Sequence, residues 1–167
     1  MAKATDEILE LPNFDVPIVR KLGDHFVEDN INLTDFITNT HKGLILYFYP
    51  KDNTSGCTTQ ATDFTQMLAD FDKLGYDIIG VSRDSIESHK KFIDKQNLQI
   101  TLISDEDERL CQYFDVIKEK NMYGKKVLGL VRSTFVFNKN GKLTYAQRNL
   151  RAKGYAQRLF DTLNTLS

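Results

Sequence analysis

Two apolar runs set the limits on what this chain can fold into. Leu44–Ile45–Leu46–Tyr47–Phe48–Tyr49 is continuous and ends at Pro50, and Asp77–Ile78–Ile79–Gly80–Val81–Ser82 repeats the pattern. Runs of this kind read as strands buried on both faces, which is the signature of a sheet covered by helices. Between them, Ala61, Phe64, Leu68 and Phe71 recur at helical steps, with Met67 alongside and Gly75 where a left-handed cap is common. The segment 44–82 is therefore a strand–helix–strand crossover, and the two strands should lie parallel.

The rest of the chain extends that unit. Ile86–Gln96 reads as a second helix, Gln99–Ile103 as a short strand, and Asp105–Glu106–Asp107 as the acidic start of a third helix running through Cys111 to about Phe114. Lys118–Lys126 reads as a polar, mobile loop. Ser133–Phe137 and Lys142–Gln147 alternate as strands do and flank Asn140–Gly141, a strong hairpin signal. Tyr155–Leu166 closes the chain as a helix with Leu159, Phe160, Leu163 and Leu166 on one face. Upstream, Phe14–Phe36 carries turn and strand signals and reads as short strands or a hairpin, with a short helix opening near Thr34–Ile37. The sum is one α/β domain over residues 1–167 with a mixed central sheet, flanking helices and an N-terminal strand or hairpin extension. Residues 1–10 are expected to fray.

Composition narrows the class. Lys plus Arg number 22 and Asp plus Glu 23, a net charge of -1, so no nucleic-acid partner is expected. Neither of the longest apolar runs approaches the roughly 18 residues of a membrane span. The first ten residues lack a basic stretch followed by an apolar one, so no secretory leader is expected there. Two cysteines are too few for a disulfide framework. A reducing, cytoplasmic setting is expected.

The chemically informative segment is Pro50–Lys51–Asp52–Asn53–Thr54–Ser55–Gly56–Cys57–Thr58–Thr59, which joins the central strand to the first long helix. Sites in open α/β sheets form at the carboxyl ends of strands. Running the apolar helix face backward from Phe71 through Phe64 and Ala61 places Cys57 in the first turn, on the protein side. Unpaired amides and the helix macrodipole favour an anion there, and the thiolate is the nucleophilic form of cysteine. The competing reading is a small buried hydrophobe. The crowding of Pro, Thr and Gly before Cys57 on a loop at a strand's carboxyl end favours the reactive one.

At these residues the chain resembles a known family. Pro50-x-x-x-Thr54-x-x-Cys57 matches the peroxiredoxin signature. The longer string from Tyr47 to Thr59 resembles the bacterioferritin comigratory protein, or peroxiredoxin Q, subfamily. Asn32–Phe36, Gly80–Ser82, Ile103–Asp107 and Arg132–Phe135 extend the match in order. The resemblance implies a thioredoxin-like fold and a thiol-dependent peroxidase acting on hydrogen peroxide and organic hydroperoxides, with no cofactor and no metal. It implies Cys57 as the nucleophile that becomes a sulfenic acid, Thr54 as its hydrogen-bonding partner, Pro50 as a shield, and Arg132 as the distant arginine completing the pocket. Arg132 opens a strand expected to run antiparallel to Leu44–Tyr49, which would bring its guanidinium to Cys57 and further favour the thiolate.

The sequence departs from the family at the resolving position. Many members carry a second cysteine where this chain has Thr62, and others near Ile93. Ser55 replaces a usual proline, and Gln60 a usual acidic residue. Cys111 is the remaining thiol. The strand before it is expected two places from the central strand, about 10 Å laterally. A disulfide needs Cα atoms about 4.4–6.8 Å apart. A one-cysteine type is therefore expected, re-reduced by a low-molecular-weight thiol or a thioredoxin-like partner, in a monomer or weak dimer. A non-catalytic redox-sensing or binding module on the same fold is the alternative. A Cys-x-x-Cys oxidoreductase is disfavoured by Thr54 and Gln60 flanking Cys57 at three residues. His25, His41 and His89 are expected to be solvated, without metal-ligand spacing.

Overall fold

A computed structural model describes residues 10–166 of the chain. Its centre is a seven-stranded mixed sheet in the order β2 (His25–Asn32), β1 (Asp15–Leu22), β5 (Thr101–Ser104), β4 (Tyr76–Ser82), β3 (Gly43–Phe48), β8 (Ser133–Phe137) and β9 (Leu143–Arg148). The core strands are β3, β4 and β5, all parallel. On one side β8 and β9 add antiparallel. On the other, β1 pairs antiparallel with β5 and forms a hairpin with β2. The expected N-terminal hairpin is therefore an integral edge of the sheet. A short helix, α1 (Leu33–Thr40), follows, capped by the Asn32 side chain.

Every residue of β3 is buried. Alternation divides its side chains between two cores. Leu44, Leu46 and Phe48 pack with α1 and with α5 (Arg109–Tyr113). Ile45 and Tyr47, with Tyr49 just past the strand, pack with α2 (Ser55–Gln66), α3 (Leu68–Lys73), α4 (Ile86–Gln96) and α6 (Tyr155–Leu166). Gly80 is needed where Tyr47 crosses β4: a Cβ there would fall 2.8 Å from the Tyr47 ring.

Several expectations need correction. The single helix after Cys57 is two, broken at Met67, whose φ of -98° and ψ of 7° leave the helical region. The third helix begins at Arg109 rather than Asp105. Glu108 is left-handed, and the Asp105 carboxylate caps the helix from below, accepting from the Leu110 and Cys111 amides at 3.0 and 2.8 Å. The segment expected to be a mobile loop is a β-ribbon, β6 (Ile117–Met122) and β7 (Lys125–Leu130). Its turn, Tyr123–Gly124, has φ of 54° and 79°, the two positive values a tight hairpin demands. Residues 1–9 lie outside the described residues, but Glu10 bridges to Lys142 instead of fraying.

Candidate active site

The β3–α2 junction lies at the carboxyl end of the central strand. Pro50, half-buried, follows β3, and Asn53 takes a left-handed φ of 61° that turns the chain toward the helix. Thr54 is the N-cap in an extended conformation, yet its hydroxyl makes no cap hydrogen bond. It donates instead to the Lys51 carbonyl at 2.8 Å. The first intrahelical bond runs from the Thr58 amide to the Thr54 carbonyl at 2.8 Å. The amides of Ser55, Gly56 and Cys57 precede it, so the helix supplies them no acceptor.

Cys57 sits on this first turn facing inward, 1% exposed, among Tyr47, Tyr49, Ala61 and Phe64. Arg132 reaches it from the start of β8. Antiparallel pairing of Phe48 with Ser133 brings that start beside the end of β3, the arrangement expected for the strand that Arg132 opens. The guanidinium Nη2 donates to Cys57 Sγ at 3.3 Å, and Nη1 donates to Gln60 Oε1 at 2.7 Å. Gly56 leaves room for this approach, since a Cβ there would lie 3.1 Å from Nη2. Arginine's rigid fork suits two acceptors one helical turn apart, on Cys57 and Gln60. The charges here are felt nearby. Burial pushes the Tyr47 phenol up, assisted by Cys57 and Asp52 and opposed by Arg132. Burial lowers the Lys120 ammonium, assisted by Arg83 and Arg132 and opposed by Cys57.

The structure brings Cys57 and Arg132 together as the sequence suggests. The Thr54 hydroxyl donates to the Lys51 carbonyl, so toward the site it retains only acceptor capacity. Sequence reasoning noted Gln60 only as a lost charge. It is fully buried and holds the arginine, and its place one turn after Cys57 on the inner face was the available signal. The expectation of a solvated His89 is wrong. His89 is fully buried, because it falls on the apolar stripe of α4 with Phe92 and Ile93.

The second thiol is as buried but has different neighbours. Cys111 packs in the opposite core, on the far side of the sheet from Cys57. Burial pushes its thiol strongly up, and the Asp105 carboxylate adds to the shift.

A mixed sheet of this order, with one cysteine at a helix N-terminus beside an arginine, defines a thiol-based redox protein. A family model described as AhpC/TSA matches residues 9–146, and the chain belongs to that family, among its Bcp or peroxiredoxin Q members. Peroxiredoxin Bcp of Xanthomonas campestris pv. campestris is 47% identical over 163 residues, covering 95% of this chain and 96% of its own. A structure of Xanthomonas campestris peroxiredoxin Q superposes with a TM-score of 0.78 at 45% identity, over 96% of this chain and 98% of that one. The bacterioferritin comigratory protein of the same organism, solved in trapped intermediate and ligand complexes for insight into its alkyl peroxide reduction, gives 0.78 at 44% identity over 95% and 98%. The fold is thioredoxin-like, and the protein is an enzyme, a thiol-dependent peroxidase.

Proposed function

We propose that Cys57 is the peroxidatic nucleophile of a one-cysteine cycle. The observation that carries this reading is the 3.3 Å contact from Arg132 Nη2 to Cys57 Sγ at the open end of α2. The thiolate sulfur attacks the terminal oxygen of a hydroperoxide. The S–O bond forms as the O–O bond breaks, leaving Cys57 as a sulfenic acid and releasing an alkoxide that takes a proton from water. Negative charge grows on the departing oxygen. The free first-turn amides and the Arg132 fork are donors fixed in advance for it, the arrangement that stabilises such a transition state. Thr54, with its proton committed to Lys51, accepts the hydroperoxide O–H and aims the substrate. Pro50 closes the loop side against bulk water.

The sulfenic acid is then reduced from outside. One thiol condenses with it, releasing water and forming a mixed disulfide, and a second thiol displaces Cys57. No cysteine stands at Thr62 or near Ile93, where the family resemblance would place a resolving thiol, and Cys111 is across the sheet; both support an external reductant, a small thiol or a thioredoxin-like protein. Hydrogen peroxide and organic hydroperoxides are the substrates proposed, the latter supported by the alkyl peroxide reduction of the Xanthomonas relative. We place the enzyme in the cytoplasm, where free thiols are sustained, as a monomer or weak dimer. Stopped-flow oxidation of the reduced protein by hydrogen peroxide tests the reading. A fast phase that survives Cys111→Ser and vanishes in Cys57→Ser is expected. A phase that survives Cys57→Ser overturns it.

A further inference from the structure

Beneath the active-site loop lies a buried polar cluster that the chemistry above does not use. Asp52, two residues before the Thr54 cap, is 5% exposed, and His89 on α4 is fully buried. Asp52 Oδ1 accepts from the Tyr49 hydroxyl at 2.6 Å. Its Oδ2 accepts from the Ser88 hydroxyl at 2.8 Å and stands 2.7 Å from His89 Nδ1. His89 Nε2 lies 2.8 Å from the Ile103 carbonyl. A carbonyl can only accept, so Nε2 carries a proton, and one proton is shared between Nδ1 and the carboxylate. The Asp52 amide donates to Asp84 Oδ2 at 2.8 Å; that oxygen also accepts from the Ser82 hydroxyl at 2.7 Å. The Ser104 hydroxyl donates to the Asp84 carbonyl at 2.6 Å. One loop residue is thus fastened to α4 and to the ends of β4 and β5.

Well-packed apolar side chains would fill such a space as stably as an ionisable pair, whose burial is costly. What a satisfied polar network adds is a unique geometry. We infer that Asp52 and His89 are positioning residues for peroxide reduction, holding the loop, the Thr54 cap and the first turn of α2 in the arrangement that accepts the peroxide. The inference rests on Cys57 as nucleophile. Cys57 is 1% exposed, so an external thiol reaches its sulfur only when that first turn opens. The cluster therefore favours oxidation and resists re-reduction.

The test measures both half-reactions in His89→Gln, which keeps a donor for Ile103 and loses the tie to Asp52. Oxidation by hydrogen peroxide should slow about tenfold, short of the roughly hundredfold that a full ångström of misplacement can cost. Re-reduction of the oxidised protein by dithiothreitol should quicken several-fold. Amide exchange over residues 53–57 should rise while β3 and β4 stay protected. Asp52→Asn, whose amide can donate to Nδ1 while still accepting from Tyr49, should keep oxidation within about threefold of wild type. If His89→Gln does not fold, Ser88→Ala carries the same opposed changes at smaller amplitude. Wild-type oxidation rates in His89→Gln and Ser88→Ala, or both half-reactions falling together, overturn the inference. A wild-type protein that peroxide does not oxidise at Cys57 defeats the proposed nucleophile instead, and amide exchange still reports on the clamp.

Discussion

Cys57 and Cys111 are both almost wholly buried, yet their surroundings point in opposite directions. Cys57 stands at the amino end of a helix with a guanidinium 3.3 Å from its sulfur. Cys111 lies across the sheet beside the Asp105 carboxylate, which, with burial, holds it as a neutral thiol. Exposure therefore does not separate the proposed nucleophile from the other thiol. Both thiols stand third in their helices, so the sign of the nearest charge is what separates them.

Exchanging the two thiols for serine should break the comparison most visibly. Cys57→Ser should lose peroxide consumption by on the order of a thousandfold or more, as removal of a covalent nucleophile does. Cys111→Ser should keep nearly all of it. Stopped-flow fluorescence or a peroxide-consumption assay reads both.

Removing the cation should make the environment of Cys57 more like that of Cys111. Arg132→Met is expected to slow oxidation about a hundredfold, the weight of one preorganised donor at a developing anion. Arg132→Lys should recover only part of this, because an ammonium cannot serve Cys57 and Gln60 with a planar fork. Gln60→Leu leaves the arginine in place but takes away the acceptor 2.7 Å from Nη1. It should cost about tenfold in the oxidation rate constant, the value of one charge-assisted hydrogen bond.

The smallest effect concerns stability. Cys111 has its folded-state thiol pKa raised. Below the unfolded value of about 8.5 both states hold the proton, and stability is complete. Above it the unfolded chain releases a proton that the folded protein keeps, so stability falls with rising pH by at most about 1.4 kcal/mol per unit. Cys111→Val removes that slope. Urea unfolding at pH 7 and pH 10 should show the variant gaining on the wild type at the higher pH. An unchanged difference between the two would count against the buried neutral thiol.

The sequence already carried the parallel strands around Cys57, because Leu44–Tyr49 and Asp77–Ser82 are apolar without interruption and the helix face between them is continuous. The Cys57–Arg132 encounter was legible through the family resemblance at Arg132–Phe135, since β8 is buried along its whole length and shows no alternation from which to read its neighbour. What the sequence hid were polar residues whose burial depends on tertiary neighbours. His89 reads as a surface residue until α4 is laid on the sheet and both ring nitrogens meet acceptors. Asp52 looks like a turn residue until Tyr49 and Ser88 close over it. The β6–β7 ribbon was hidden for the opposite reason. Its lysines mask the period of two, and Tyr123–Gly124 is a less familiar hairpin pair than Asn140–Gly141.

The central claim is that chemistry occurs at Cys57 alone, without Cys111. Intact mass after one equivalent of hydrogen peroxide, followed by peptide mapping with and without a sulfenic-acid trap, tests it most directly. The account predicts a gain of one oxygen atom located on the peptide containing Cys57, captured by the trap and reversed by a small thiol. A quantitative loss of two hydrogens, mapped to a Cys57–Cys111 disulfide within the monomer, would contradict it.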